Sequence, residues 1–298
     1  MAVPSEQKLA QFLSWARAHP SIHIRAWDAT AAKLSKVVRD GSTKLHVISD
    51  FDMTLTCYWV NGQRNKSSHS IISRSPLIPE SFRKRSEMLY NKYYPIEMSP
   101  TVPMAEKVPA MIEWWTAAHE DVVQLKLARA DIAVMVKDAE IPLRRRTDEL
   151  LMLCKTLEIP FLIFSAGIGD VIKEVFRQQE LYSSNMHVVS NTMIFDERDV
   201  CVGFKTPLIH TFNKNEGSVK GSSYGNVIEQ RVNVILMGDS LGDLRMSEGL
   251  THENQIAIGF LNHDREVLMD QYLSSFDIVV TEDESMEFAI NFLSCLLD

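Results

Sequence analysis

The chemistry available to this sequence gathers in three short clusters of small and acidic residues. They are Asp50-Phe51-Asp52-Met53-Thr54, Ser165-Ala166-Gly167-Ile168-Gly169-Asp170 and Gly238-Asp239-Ser240-Leu241-Gly242-Asp243. Cleavage of a phosphate monoester needs an in-line nucleophile, neutralisation of the phosphoryl oxygens and a proton for the departing alkoxide. Two carboxylates spaced i, i+2 at a strand end can divide that work. Asp50 would attack phosphorus, while Asp52 would protonate the leaving oxygen and later activate water. Ser165 and the amides around Ala166 and Gly167, at a helix start, suit phosphoryl oxygens. Gathering Asp50, Asp52, Asp239 and Asp243 in one crevice would be self-repelling without a cation, and oxygen ligands that keep several waters point to Mg²⁺. A lysine should complete such a site, and Lys205, after a glycine, is the first candidate. An isolated D-x-D is often just a turn or a helix cap. Specificity lies in the three clusters occurring in this order.

Each cluster follows an apolar run: Leu45 to Ser49, Phe161 to Phe164, and Val232 to Met237. Helical spacing follows the second (Val171, Ile172, Val175, Phe176), and helical sequence is expected after the third. Strands alternating with helices predict an α/β fold, a doubly wound and mostly parallel sheet covered on both faces. Ligands of such sheets sit beyond the carboxyl ends of the strands, where all three clusters fall. Leu9, Phe12, Leu13 and Ala16 mark an amphipathic helix near the start. Residues 61 to about 85 turn polar, helical patterns then run to about 155, and residues 187–212 suggest strands or a hairpin. The predicted division is a core of residues 1–60 and 156–298 with an inserted helical cap over 61–155.

The 298 residues are 45% hydrophobic and 23% charged, with a formal charge of −8, the profile of a globular protein and not of a nucleic-acid-polymer binder. Cys57, Cys154, Cys201 and Cys295 are far apart and form no C-x-x-C pair, which favours a reducing compartment. No apolar run reaches the roughly 18 to 20 residues of a membrane span. A cytoplasmic monomer acting on a small molecule is expected.

The ordered motifs resemble those of the haloacid dehalogenase superfamily of phosphatases. The similarity narrows to the cytosolic 5'-nucleotidase III (pyrimidine 5'-nucleotidase) family. It runs through Ile48 to Thr56, Tyr93-Tyr94-Pro95-Ile96-Glu97, Glu113-Trp114-Trp115-Thr116, Phe164 to Asp170, His210-Thr211-Phe212-Asn213-Lys214 and Gly238 to Arg245. The resemblance implies a haloacid dehalogenase-like core with a helical cap after the first motif, and Mg²⁺-dependent hydrolysis of nucleoside 5'-monophosphates through an aspartyl-phosphate. It selects Lys214 over Lys205 as the phosphate-binding lysine, makes Asp239 a Mg²⁺ ligand beside Asp50 and the Asp52 carbonyl, and gives Asp243 a supporting role. Glu97 matches the cap glutamate that hydrogen-bonds the nucleobase.

Substrate choice should be written in Glu97, Trp115 and Ala118. Members acting on pyrimidine nucleotides resemble Trp-Tyr-Thr-Lys-Ser-His where this chain has Trp114-Trp115-Thr116-Ala117-Ala118-His119. A second indole offers stacking surface to a cationic methylated purine, and alanine removes bulk and a hydroxyl. The pattern resembles the branch acting on 7-methylguanosine 5'-monophosphate (7-methyl-GMP), so 7-methyl-GMP, CMP and UMP are the expected substrates. The alternative is a strictly pyrimidine-specific nucleotidase or phosphotransferase. More remote readings are a serine esterase using Ser240, whose surroundings fit G-x-S-x-G with His252 and His263 downstream, and a non-enzymatic phospho-receiver. The basic triplets Arg83-Lys84-Arg85 and Arg144-Arg145-Arg146 are expected to be solvated helix faces.

Overall fold

A computed structural model describes residues 5–99, 101–282 and 285–297. Its centre is a seven-stranded sheet whose strands are short apolar runs between turns. In chain order the strands are β1 (Ile22–His23), β2 (Leu45–Ser49), the hairpin pair β3 (Trp59–Val60) and β4 (Gln63–Arg64), β5 (Phe161–Ile168), β6 (Met186–Asn191), the pair β7 (Met193–Phe195) and β8 (Cys201–Phe204), then β9 (Asn233–Gly238), β10 (Asn254–Leu261) and β11 (Ile278–Thr281). The main sheet runs β1-β11-β10-β9-β2-β5-β6. All its pairings are parallel except β1 with β11.

Every residue of β2 and β9 is buried, as central strands covered on both faces must be. Alternation sorts their side chains: Val47 and Ile235 face one core cluster, Ile48 and Leu236 the other. The helices are α1 (Ser5–Ala18), α2 (Trp27–Asp40), α3 (Ser68–Ser73), α4 (Glu80–Met98), α5 (Met104–Gln124), α6 (Arg129–Ala139), α7 (Thr147–Thr156), α8 (Gly169–Gln178), α9 (Ser223–Ile228), α10 (Arg265–Ser275) and α11 (Glu287–Leu293). The expected amphipathic stripe of α1 is buried at Leu9, Phe12 and Ala16.

The helical block between β2 and β5 divides between two cores. Ile71 and Ile72 of α3, Ile132 and Met135 of α6, and Leu150 and Leu151 of α7 join the main cluster. By contrast, Leu89 and Tyr93 of α4 and Met111 of α5 form a cluster of their own, with Trp114, Trp115 and Phe212 against it. Chain exit and return are stapled together: Thr56 bridges Leu143, and the Arg144 amide donates to the Leu55 carbonyl at 2.7 Å.

Three local expectations need correction. Ser165-Ala166-Gly167 is not a turn at a helix start, because β5 continues through it to Ile168 with a register irregularity after Phe164. A 3-10 turn (Leu241–Ser247), not an α-helix, follows β9, and β10 comes next. Arg144 is no solvated residue: it is 1% exposed, its guanidinium donating to the Thr54 and Met53 carbonyls and to Asn262 Oδ1. Chain-adjacent charge is a poor guide where backbone carbonyls need donors.

Candidate active site

The adjacency of β5, β2 and β9 brings the three clusters together. Asp50 leaves the end of β2 with its amide donating to the Met237 carbonyl of β9 at 2.9 Å. Lys214, from the loop after β8, places its ammonium 2.5 Å from Asp50 Oδ1 and 3.0 Å from Asp243 Oδ1. Asp243 is clamped further: its Oδ2 accepts from the Ser240 amide at 3.0 Å and hydroxyl at 2.8 Å. The backbone at Gly238 must be bare for this, since a Cβ there would lie 2.4 Å from the Asp243 Cβ.

The electrostatics are those of several buried carboxylates sharing one lysine. Burial raises the Asp50 carboxyl well above the usual range, with Lys214 opposing and Asp243, Asp239 and Asp52 adding repulsion. Asp239 is pushed to about 7, first by burial and then by the Asp243 charge, against Lys214, Arg144 and Arg64. Burial alone would depress Lys214, yet Asp243 and Asp50 hold its ammonium above the ordinary lysine value. Asp50, Asp239 and Asp243 each offer an oxygen within 4.8 Å of the others. Because both oxygens of Asp243 already accept hydrogen bonds, Asp50 and Asp239 are the better-placed side-chain donors for a cation. The buried acidic cluster fits a divalent metal.

Asp52 lies beside this cluster, its carboxylate held by Ser68 of α3. Ser165 is buried in β5, its Oγ accepting from the Gly167 amide at 3.0 Å. Asn191 ties the Ala166 carbonyl to that of Ile209, so the cradle and the lysine-bearing loop share one side chain. Lys205, the first lysine considered, is exposed beside a separate cavity that borders the opposite face of α5.

A cavity of about 600 Å³ opens from Met53 and is lined by Arg64, His69, Glu97, Trp115 and Ala118. Glu97 accepts a short hydrogen bond from Thr211 through Oε1, and among the described residues none is made by Oε2. Burial raises its carboxyl, with Thr211 opposing. Trp115 lies 5.5 Å from Trp114 at 18° between rings, and 4.8 Å from His69. The indole N–H of Trp115 has no hydrogen-bond partner among the described residues.

Residues 53–297 match the family model for pyrimidine 5'-nucleotidase (UMPH-1). This chain belongs to that family.

Relatives of this nucleotidase bear the same kind of name. The 7-methylguanosine phosphate-specific 5'-nucleotidase of Gallus gallus is 40% identical over 93% of this chain and 96% of its own length. The Homo sapiens protein of that name is 42% identical over 87% of each chain. A crystal structure of cytosolic 5'-nucleotidase IIIB bound to cytidine superposes with a TM-score of 0.88, at 33% identity over 99% of this chain and 98% of that one. At 13% identity and a TM-score of 0.51, a haloacid dehalogenase family hydrolase of Salmonella enterica shares the fold. No described helix of the nucleotidase is long and apolar enough to cross a membrane.

Several residues around the nucleotidase site escaped the sequence reading. Ser68, Arg144, Asn191 and Asn262 lie outside the three clusters and act through backbone or carboxylate contacts that no short motif encodes. Met53 adopts φ 64°, and its carbonyl accepts from both Arg144 and Asn262. The φ > 0 geometry, uncommon for methionine, is thus pinned by two buried side chains.

Proposed function

We propose that this 5'-nucleotidase is Mg²⁺-dependent and hydrolyses 7-methyl-GMP and CMP, with UMP as a further substrate, through an aspartyl-phosphate on Asp50. The observation that carries the reading is one cavity that reaches from the residue next to Asp52 to the expected base-binding residues. At its floor Met53 adjoins Asp52, and its walls hold Glu97, Trp115 and Ala118.

Asp50, Asp239 and the Asp52 carbonyl would hold Mg²⁺, which neutralises carboxylate and phosphoryl charge when bound. Lys214, Ser165 and the Ala166 amide bind the phosphoryl oxygens. An Asp50 oxygen then forms a bond to phosphorus as the P–O5' bond breaks, and the Asp52 proton passes to O5'. In the second step water gives its proton to Asp52 and attacks phosphorus, and the bond to Asp50 breaks. Ser240, which donates to Asp243, supports a structural role and not that of an esterase nucleophile.

Glu97 Oε2 can accept from the cytosine amino group or from the N–H edge of a guanine. Trp115 supplies a face for stacking, and a cationic 7-methylpurine gains most from it. We take residues 61–155 to be the helical cap, meeting the base through α4 and α5, and the enzyme to be a cytoplasmic monomer. Steady-state kcat/KM for 7-methyl-GMP, CMP, UMP and GMP, with Mg²⁺ and with EDTA, tests the proposal. Turnover of 7-methyl-GMP and CMP that EDTA removes and Mg²⁺ restores is expected. Absence of turnover on the methylated purine would sink the base assignment, and EDTA-resistant activity the metal.

A further inference from the structure

The start of the short helix α3 reaches the proton donor. The Ser68 amide donates to Asp52 Oδ1 and its hydroxyl to Oδ2, each at 2.7 Å. One residue therefore holds both oxygens of the carboxyl group, which sets the plane as well as the direction of that group. Ser68 is 1% exposed, and the next turn of α3 is anchored in the main core by Ile71 and Ile72. The hydroxyl also lies against the phosphate cradle. A Cβ at Gly167 would stand 1.9 Å from Ser68 Oγ and 3.1 Å from Ser165 Oγ, so the absence of a side chain there is what admits the serine. Ser68 thus occupies the space between the acid and the cradle, on an element that cannot drift independently of the core.

We propose that Ser68 is a positioning residue for proton transfer, orienting the Asp52 carboxyl group toward the leaving oxygen of the substrate. The proposal rests on the phosphohydrolase reading of the site. The role assigned to Ser68 runs through Asp52 and not through phosphorus or O5'. It acts only on the geometry in which the Asp52 proton moves to O5' as the P–O5' bond breaks. A group misplaced by a rotation about its terminal torsion loses much of the benefit of general-acid catalysis, because proton transfer needs hydrogen-bond reach in the transition state.

The consequence is a dependence on the leaving group. In the 5'-phosphorothiolate of cytidine, sulfur replaces the bridging 5'-oxygen of CMP, and the thiolate departs without needing a proton. The experiment compares kcat/KM on CMP and on this analogue for the Mg²⁺-loaded wild type, Ser68→Ala and Ser68→Cys, with thermal unfolding of each. Ser68→Ala is expected to lose about tenfold to a hundredfold on CMP, the value of one charge-assisted hydrogen bond, and less than about threefold on the phosphorothiolate. Ser68→Cys, with its weak S–H donor, should fall between wild type and alanine on CMP. Equal losses on both substrates would show general damage and overturn the proposal, as would an unimpaired Ser68→Ala enzyme on CMP. A wild type that hydrolyses neither substrate would remove the underlying phosphohydrolase reading, and the proposal with it.

Discussion

The two ends of this site, proposed to take the phosphate and the base, are finished to different degrees. Around Asp50, the charged groups are held by named contacts within the chain: Lys214 bridges Asp50 and Asp243, Ser240 clamps Asp243, Ser68 grips Asp52, and Arg144 supports the Met53 and Thr54 carbonyls. Around Trp115, three buried ring nitrogens, Trp115 Nε1, His69 Nε2 and His119 Nε2, make no hydrogen bond among the described residues. Buried polar groups are normally paired, so unpaired ones mark places where the chain has not closed its own accounts of donors and acceptors. Charge that must act on phosphorus has to be preorganised, whereas an aromatic wall recognises by area and can leave its polar edges open.

The contrast predicts a graded response to substitution. Asp50→Asn should abolish phosphate release from every nucleoside monophosphate, by at least about a thousandfold in kcat, whatever the base. Residual activity near wild type would dissolve the assignment of the phosphate end. Glu97→Ala should cost about tenfold to a hundredfold in kcat/KM on CMP, the scale of a hydrogen bond to a charged group. A comparable loss on ribose 5-phosphate, which has no base, would show Glu97 serving the phosphate end instead.

Trp115→Ala should lower kcat/KM by about tenfold on 7-methyl-GMP and less on CMP, since stacking on a base is worth about 1–3 kcal/mol. Equal losses accompanied by a lowered melting temperature would identify the ring as core packing. The smallest expected effect concerns stability. Burial lowers His119 from the ordinary 6.5 to about 4, and burial followed by the His119 charge lowers His69 to about 3. Between those values and 6.5 the unfolded chain binds more protons, so stability is full above about pH 6.5 and declines as pH falls toward 4. His119→Phe should flatten that decline in thermal melts recorded across this range; an unchanged pH slope would remove His119 from the explanation.

Legibility followed the same division. The strands Leu45–Ser49 and Phe161–Phe164 could be read because fully buried parallel strands are short apolar runs, and the acidic clusters could be read because the strand ends expose them. Lys214 was a different matter. Nothing local distinguishes it from Lys205, and only family resemblance chose it before the structure put its ammonium between Asp50 and Asp243. The helical block 61–155 was visible as composition, but not its partition, because helical spacing tells which face is apolar and not what the face meets. Arg144 was misread for a related reason: a charged triplet gives no hint that one member answers three acceptors inside the fold.

The sequence by itself therefore determined which carboxylates could carry the reaction, since the proposed nucleophile, acid and metal-binding groups are adjacent in the chain or sit at strand ends whose order is set by hydrophobic pattern. Tertiary structure decided how that chemistry is held and what it faces. Ser68 meets Asp52 across 16 residues, Glu97 meets Thr211 across 114, and Lys214 meets Asp50 across 164. Contacts over such separations depend on how elements pack, which no local spacing records.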